Sequence, residues 1–450
     1  MKDERKGQID SEHLIPEYFR LSVPVVLGSI VTIVYNLADT YFIARTGNEL
    51  LIAGVSVCAP IFMILMAFGN VFGQGGSSLI SRLLGKGNGR DAGRVSAFCF
   101  WAALLTGAVI GAVLLLVREP FLSLLGASPD TAAYAREYGT VLLIGAPLIV
   151  VNFIHMNLLR CVGMPGMSMI GTVTGAVVNV ILDPLLIPGM GAAGAALATV
   201  IGYLCSDLFL LAVALRRGRQ LSVRPTLRIE GAWLKSILSI GFTAAITNIA
   251  TSVCTMLMNQ QLAPYGDDRI AAMGIVLKVT MIVQMILVGF SFGGIPLFGF
   301  LEGAGEKEKI RRLFQFCLIF LGFTALAMTA VTALAAPGLL GLITPDGHLV
   351  SLGTEMLRWQ VAGSAFGGMV MLTTCICQAS GKAVPALILS LSRQGVVFAA
   401  VLMILSAAFG YDGIIRAQFA ADALSALITV GILRFVVFGS RNGKTAQQGE

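Results

Sequence analysis

Between residues 15 and 438 the chain passes through twelve apolar stretches joined by short polar connections. A helix that crosses a bilayer needs about 20 apolar residues, and these stretches meet that length. They read as helices at 15–44, 51–83, 92–117, 131–156, 164–187, 191–215, 232–263, 269–301, 310–335, 351–377, 384–408 and 414–438, called spans 1 to 12 below. Several exceed one bilayer thickness, which implies tilt, kinks or projection beyond the lipid. Charge agrees: 12% of the residues are Asp, Glu, Lys or Arg, against about 25% in soluble domains. No room remains for a large soluble domain. The 52 glycines suit membrane helices that pack closely through small side chains. The polar stretch 1–14 is not expected to be a cleaved signal peptide, since no short apolar core precedes a small-residue cleavage site. Span 1 is then its own insertion signal.

The 31 Lys and Arg residues divide unequally between the two sides. The N-terminus, the even-to-odd connections and the C-terminus carry 23, and the opposite side carries six. Lys278 and Arg393 lie inside spans. The positive-inside rule then places both termini in the cytoplasm. The net charge of +7 needs no nucleic-acid partner. The two halves also echo one another. Leu21-Ser22 matches Leu238-Ser239, GNVFG at 69–73 matches GFSFG at 289–293, and Gly85 and Gly87 match Gly303 and Gly305. Gly163 matches Gly381, and Gly191, Gly194 and Ala198 match Gly410, Gly413 and Ala417. All lie 217 to 220 residues apart, the mark of an internal repeat. Six spans per copy start both copies on the same side. The chain is therefore expected to be an all-α membrane protein, twelve transmembrane helices in two six-helix lobes related by a pseudo-twofold axis along the membrane normal. Parallel repeats of this kind recur in transporters that rock two lobes around a midplane site. The expected division is an N-lobe at 1–215, a cytoplasmic linker at 216–231 and a C-lobe at 232–450. The linker is basic, contains Pro225 and has no apolar run.

Charges within spans are costly and usually functional. Asp39 lies deep in span 1, with Asn36 and Tyr35 three and four residues before it and so on its face. Pro24 in the same span removes a backbone hydrogen bond and promotes a bend. In span 5, Asn179 stands four residues before Asp183, which Pro184 follows. Thr199 in span 6 offers another oxygen. If Asp39 and Asp183 meet, they can hold one proton between them and titrate as a pair. With Asn179 and Thr199, the same oxygens can instead hold Na⁺, a hard cation. The sequence leaves these open, beside the plainer reading of acids bonded to neighbouring backbone or facing a wet cavity. The repeat places Met256, Val401 and Val397 where the first half has Asp39, Asp183 and Asn179. The acidic apparatus belongs to one lobe, which favours a specialised ion site. In the second lobe Lys278 and Asp422 lie at similar depth and are expected to pair. Asp207, late in span 6, is expected to partner Arg216 or Arg217.

Other chemistries find little support. GAGEK at 303–307 lacks the ending and spacing of a phosphate-binding loop, so ATP is not expected to drive the protein directly. His13, His155 and His348 show no metal-ligand spacing, and Cys375-x-Cys377 lacks partners for zinc. The eight cysteines read as small packing residues. No cofactor and no enzymatic activity are expected.

The residues that carry a family resemblance are now in view. They are Pro24 and Asp39, GNVFGQGGSSLISRLLGKGN at 69–88, LLRCVGMP at 158–165, Asn179 with Asp183-Pro184, and GAAGAALAT at 191–199. In these the chain resembles the multidrug and toxic compound extrusion (MATE) family, prokaryotic type, over essentially its whole length. The resemblance implies a monomeric exporter of the plasma membrane. It would exchange inward H⁺ or Na⁺ for small cationic or amphipathic compounds by alternating access. It also implies that Asp39, Asn179, Asp183 and Thr199 form the first-lobe cation site, with Pro24 at a bend in span 1. Span 7 lacks the acid used by another branch, and Glu355 lies at the outer end of span 10, so coupling through the second lobe is not expected. The competing reading is a flippase for lipid-linked saccharides. Such proteins usually line their cavity with many basic residues, and this chain has two away from the span ends, Lys278 and Arg393.

Overall fold

The computed structural model describes residues 9–218, 220–226 and 229–436. Lys2, Arg5, Lys6, Arg219, Arg228, Arg441 and Lys444, all part of the charge count, lie outside the described residues, as do the side chains of Arg217 and Arg434. Every span is helical over its described residues. Span 1 is Leu14–Ala44, span 2 Glu49–Gly85 with an interruption at Cys58, and span 3 Gly89–Leu116. Span 4 is Ala132–Ile144 and Ala146–Cys161, bent by 54°. Span 7 is Gly231–Leu262. Span 8 is Asp267–Gly293 followed by Ile295–Ala304, and span 9 is Lys307–Leu334. Span 10 is Gly347–Ala362 and Ser364–Ala379, bent by 42°. Span 11 is broken at Gly395 between Ala383–Gln394 and Val396–Phe409. Span 12 is Tyr411–Val436. Several starts are fixed by side chains that accept from helix amides: Asn48 from Leu51, Asn88 from Asp91, and Asp346 from His348 and Leu349.

Spans 5 and 6 follow one another without a loop, because Pro165–Arg217 is helical throughout apart from Gly191. There φ is 55° and ψ is −129°, a conformation open only to glycine. The chain doubles back at that point. A Cβ on Gly175 would lie 2.9 Å from the Gly202 carbonyl oxygen, whereas a straight helix would separate those residues by about 40 Å. Residues 165–190 and 192–217 are therefore two spans. Nine helices long and apolar enough to cross a membrane, eleven with the bent pairs, thus become twelve among the described residues.

The backbone repeats as the sequence does. Gly410, between spans 11 and 12, has φ 58° and ψ −132°, matching Gly191. Left-handed glycines recur in pairs at Gly47 and Gly266, Gly87 and Gly305, and Gly163 and Gly381. The bend of span 4 at Gly145 matches that of span 10 at Gly363. Short helices absent from the sequence reading, Arg118–Leu124 and Ala336–Gly341, follow spans 3 and 9 in the same register. Gly191→Ala and Gly410→Ala should each cost about 1–3 kcal/mol, the usual strain of a non-glycine residue held in such a region. Thermal unfolding in detergent reads this directly; melting points equal to wild type would contradict the reversal geometry.

The chain divides into two compact units, Met1–Ala245 and Ile246–Glu450. Apolar contact alone gives little drive for helices to associate in lipid, so close approach matters most. In the first unit the GNVFG glycines supply it. A Cβ on Gly69 would lie 2.8 Å from Phe153 Cβ, and one on Gly73 would lie 2.8 Å from Asn157 Nδ2. The smooth face of span 2 thus seats span 4. Gly75 and Gly241 likewise press span 2 on the opening of span 7, at Ile237 and Val71. Around these contacts Ile61, Leu65, Ile80, Ile149, Ile154, Leu159 and Leu210 are fully buried. The linker backbone runs along span 3, with Ser96 Oγ donating to the Ser222 carbonyl at 3.2 Å and Trp101 Nε1 to that of Val223 at 3.0 Å. In the second unit Met273, Val276, Met356, Leu357, Leu402, Ile414 and Ile415 form the core. The cysteines are all free and seven are buried, with Cys375 Sγ bonded to the Ser291 carbonyl.

Candidate functional site

In the first unit, spans 5 and 6 can touch because each places a glycine at the crossing. A Cβ on Gly202 would lie 2.8 Å from the Gly175 carbonyl oxygen and 3.3 Å from Asn179 Cβ. This approach brings Asn179 Nδ2 to 3.3 Å from Thr199 Oγ1, and Thr199 Oγ1 donates to the Ala195 carbonyl at 3.1 Å. One turn along span 5, Asp183 Oδ1 lies 3.5 Å from Asn179 Nδ2. Pro184 and Pro188 follow inside the helix, and each removes an amide donor and frees a carbonyl nearby. Asn179 and Asp183 are almost completely buried. Span 1 packs along this hairpin, with Asp39 and Asp183 within electrostatic range of each other. The Tyr35 hydroxyl faces Thr199.

What distinguishes this cluster is its unused oxygens. Asp39 Oδ1, Asn179 Oδ1 and Asp183 Oδ2 are buried and have no hydrogen-bond partner. A buried acceptor without a donor is costly, and native proteins rarely leave one. Three in one cluster, two of them carboxylate oxygens, form a donor set for a hard cation or a proton. The structure thus brings together Asp39, Asn179, Asp183, Thr199 and Tyr35. Asn36 does not join them: it is exposed, and its carbonyl accepts from Thr40. Pro24 lies within an unbroken helix, about 22 Å along the axis from Asp39. Sequence reasoning missed Tyr138 of span 4, which lies within electrostatic range of Asp39, Tyr35 and Asp183. In the second unit Val401, the counterpart of Asp183, is buried in the apolar core.

Two expected charge pairs are corrected. Asp422 pairs with Arg393, not Lys278: Arg393 Nε lies 3.0 Å from Asp422 Oδ1. Gln418 also donates to Asp422, and Arg393 Nη2 donates to Gln284 at 2.9 Å. Span 10 makes room with glycines, since a Cβ on Gly363 or Gly367 would lie 2.8 Å from Asp422 Oδ2 or Arg393 Nη2. Lys278 is exposed on span 8. Asp207 turns inward rather than toward the basic linker. Its Oδ1 accepts from Asn152 at 3.0 Å, and His155 Nδ1 lies 3.8 Å away.

Twelve apolar spans and a buried set of unpartnered oxygens define an α-helical membrane transporter rather than a soluble protein. Comparison with known proteins supplies the family. The MatE family model matches residues 24–185 and again 243–405, in the register of the internal repeat. The chain is 30% identical to the multidrug export protein MepA of Staphylococcus saprophyticus, covering 96% of this chain and 97% of that one. It is 29% identical to the MepA of Staphylococcus haemolyticus, covering 100% and 98%. Among solved structures it is similar to a MATE protein in complex with MaD3S, at 25% identity and TM-score 0.89, covering 98% and 99%. The chain belongs to the MATE family of efflux transporters.

Proposed function

We propose that this protein is a multidrug antiporter of the plasma membrane. It exports small cationic or amphipathic organic compounds in exchange for H⁺ or Na⁺, with both termini in the cytoplasm. The observation that carries this reading is the cluster of unpartnered oxygens at Asp39, Asn179 and Asp183. A proton on either carboxyl supplies a missing donor, and Na⁺ supplies a shared positive charge to all three. Either ion relieves the burial of unsatisfied acceptors, so occupancy shifts the balance of states that differ in how span 1 meets spans 5 and 6. The names of the staphylococcal relatives support drugs as cargo. The lobes read from the sequence, 1–215 and 232–450 joined by 216–231, are the proposed moving parts. The coupling ion is cargo here, not a resident cofactor.

The test is purified protein in liposomes, with ethidium as cargo and pH and Na⁺ gradients imposed separately. Ethidium should accumulate against its gradient under one of the two and collapse when that gradient is removed. Accumulation that ignores both gradients would overturn the reading.

A further inference from the structure

A second polar cluster lies deeper in the same unit, toward the linker. His155 of span 4 and Asp207 of span 6 are 3% and 6% exposed. Both His155 ring nitrogens and Asp207 Oδ2 lack hydrogen-bond partners. The 3.8 Å between Nδ1 and Oδ1 is too long for a direct hydrogen bond. Asn152 Nδ2 fixes Asp207, donating to its Oδ1 at 3.0 Å and to Ser206 Oγ at 2.8 Å. Phe100 of span 3 lies against the imidazole at 5.3 Å between ring centres. Beside His155 is a cavity of about 10 Å³, lined also by Ser96, Leu158, Ser222 and Val223. That volume suits about one water molecule, and its serines are polar partners for it.

Its position matters as much as its composition. Thr199, Tyr203 and Asp207 are spaced by four on span 6 and share one face. Tyr203 lies within electrostatic range of Tyr35 and Tyr138 on one side and of Asp207 on the other. A polar stripe therefore runs from the oxygen cluster to His155, about 12 Å along the helix, and ends at the cavity beside the linker. Of the groups facing His155, span 3 contributes Ser96 and Phe100, the linker contributes Ser222 and Val223, and span 6 contributes Asp207 with Tyr203 beyond it. Asp207 is the one carboxylic acid among these.

We infer that His155 and Asp207 form a second proton-binding site, set between the ion-coupling cluster and the linker end of the unit. The pair takes one proton onto a ring nitrogen of His155, beside the Asp207 carboxylate, and releases it to water at the linker. No other bond changes. The pair's place on the route rests on the proposed coupling at Asp39 and Asp183. Its protonation does not.

The chain has three histidines, and His13 and His348 are exposed. A His13→Gln, His348→Gln background therefore leaves His155 as a lone signal in ¹⁵N-histidine NMR of the full protein in nanodiscs. The His155 ring signals should change as the pH is varied, because the pair takes up a proton. Asp207→Asn should weaken proton binding at the ring about tenfold or more, because the neighbouring carboxylate is removed. Ring signals that do not respond to pH, or a response indifferent to Asp207→Asn, overturn the inference. In liposomes, His155→Gln should lower pH-driven ethidium transport at least about fivefold more than ethidium exchange without a gradient. Equal loss of both would mark a structural residue and overturn it. Should His155→Gln fail to fold, Asp207→Asn serves in its place. Gradient-driven transport by Asp39→Asn would defeat the coupling reading while leaving the His155 titration to be judged separately.

Discussion

Asp39→Asn should reduce ethidium export driven by an imposed ion gradient to the level of protein-free liposomes, while leaving insertion and folding intact. The two side chains have nearly the same volume, so packing of span 1 on the spans 5 and 6 hairpin is kept. Asp39 Oδ1 has no hydrogen bond to lose. What changes is the chemistry of occupancy. A carboxamide does not take up a proton at physiological pH, and it leaves Na⁺ to be neutralised by Asp183 alone. Since a ligand shifts an equilibrium only by its difference in affinity for the two states, coupling disappears with that difference. Asp183→Asn should act in the same direction. Thr199→Val removes one neutral oxygen and should lower driven transport by about tenfold, the factor that 1.4 kcal/mol represents. Thermal unfolding of each variant separates a lost site from a lost fold. Normal gradient-driven export by folded Asp39→Asn would sink the proposed mechanism.

The architecture was legible because lipid imposes a requirement that sequence must display. Each crossing has to be long and apolar, and each connection polar, so the spans at 15–44, 92–117 and 310–335 fall close to the helices observed. The repeat was legible for a related reason: turns such as those at Gly191 and Gly410 admit only glycine and so preserve their spacing. The bends at Gly145 and Gly363 were not legible. Glycine is common in membrane helices for packing, and nothing in the sequence separates a packing glycine from a bending one. The Asn179–Asp183 part of the oxygen cluster was legible because the two residues share a face by spacing alone. Tyr138 was missed because it reaches the cluster from another span, and sequence carries no contact across helices. The spacing of Thr199, Tyr203 and Asp207 was readable, but a stripe ending at His155 required the side-by-side placement of spans 4 and 6.

The partner of Asp422 shows the same limit and gives the other large expected effect. Lys278 and Asp422 were matched by depth, yet depth says nothing about the direction a helix face points. Arg393 also lies in mid-span and faces Asp422 directly. Both members of that pair are almost fully buried. Removing one partner of a buried ion pair leaves an uncompensated charge and typically costs about 3–5 kcal/mol. Arg393→Met should therefore lower the thermal stability of the detergent-solubilised protein severely, and Asp422→Leu should do likewise. The double variant Arg393→Met, Asp422→Leu should recover most of the loss, because two apolar side chains of similar volume leave no charge behind. Lys278→Met should change stability little, since Lys278 is exposed. If Lys278→Met proves as damaging as Arg393→Met, or if the double variant is no better than the worse single one, the pair is wrongly assigned. The comparison also tests the role of the pair. A double variant that regains stability but not transport would show that the Arg393–Asp422–Gln284 network acts in the transport cycle beyond holding spans 8, 11 and 12 together.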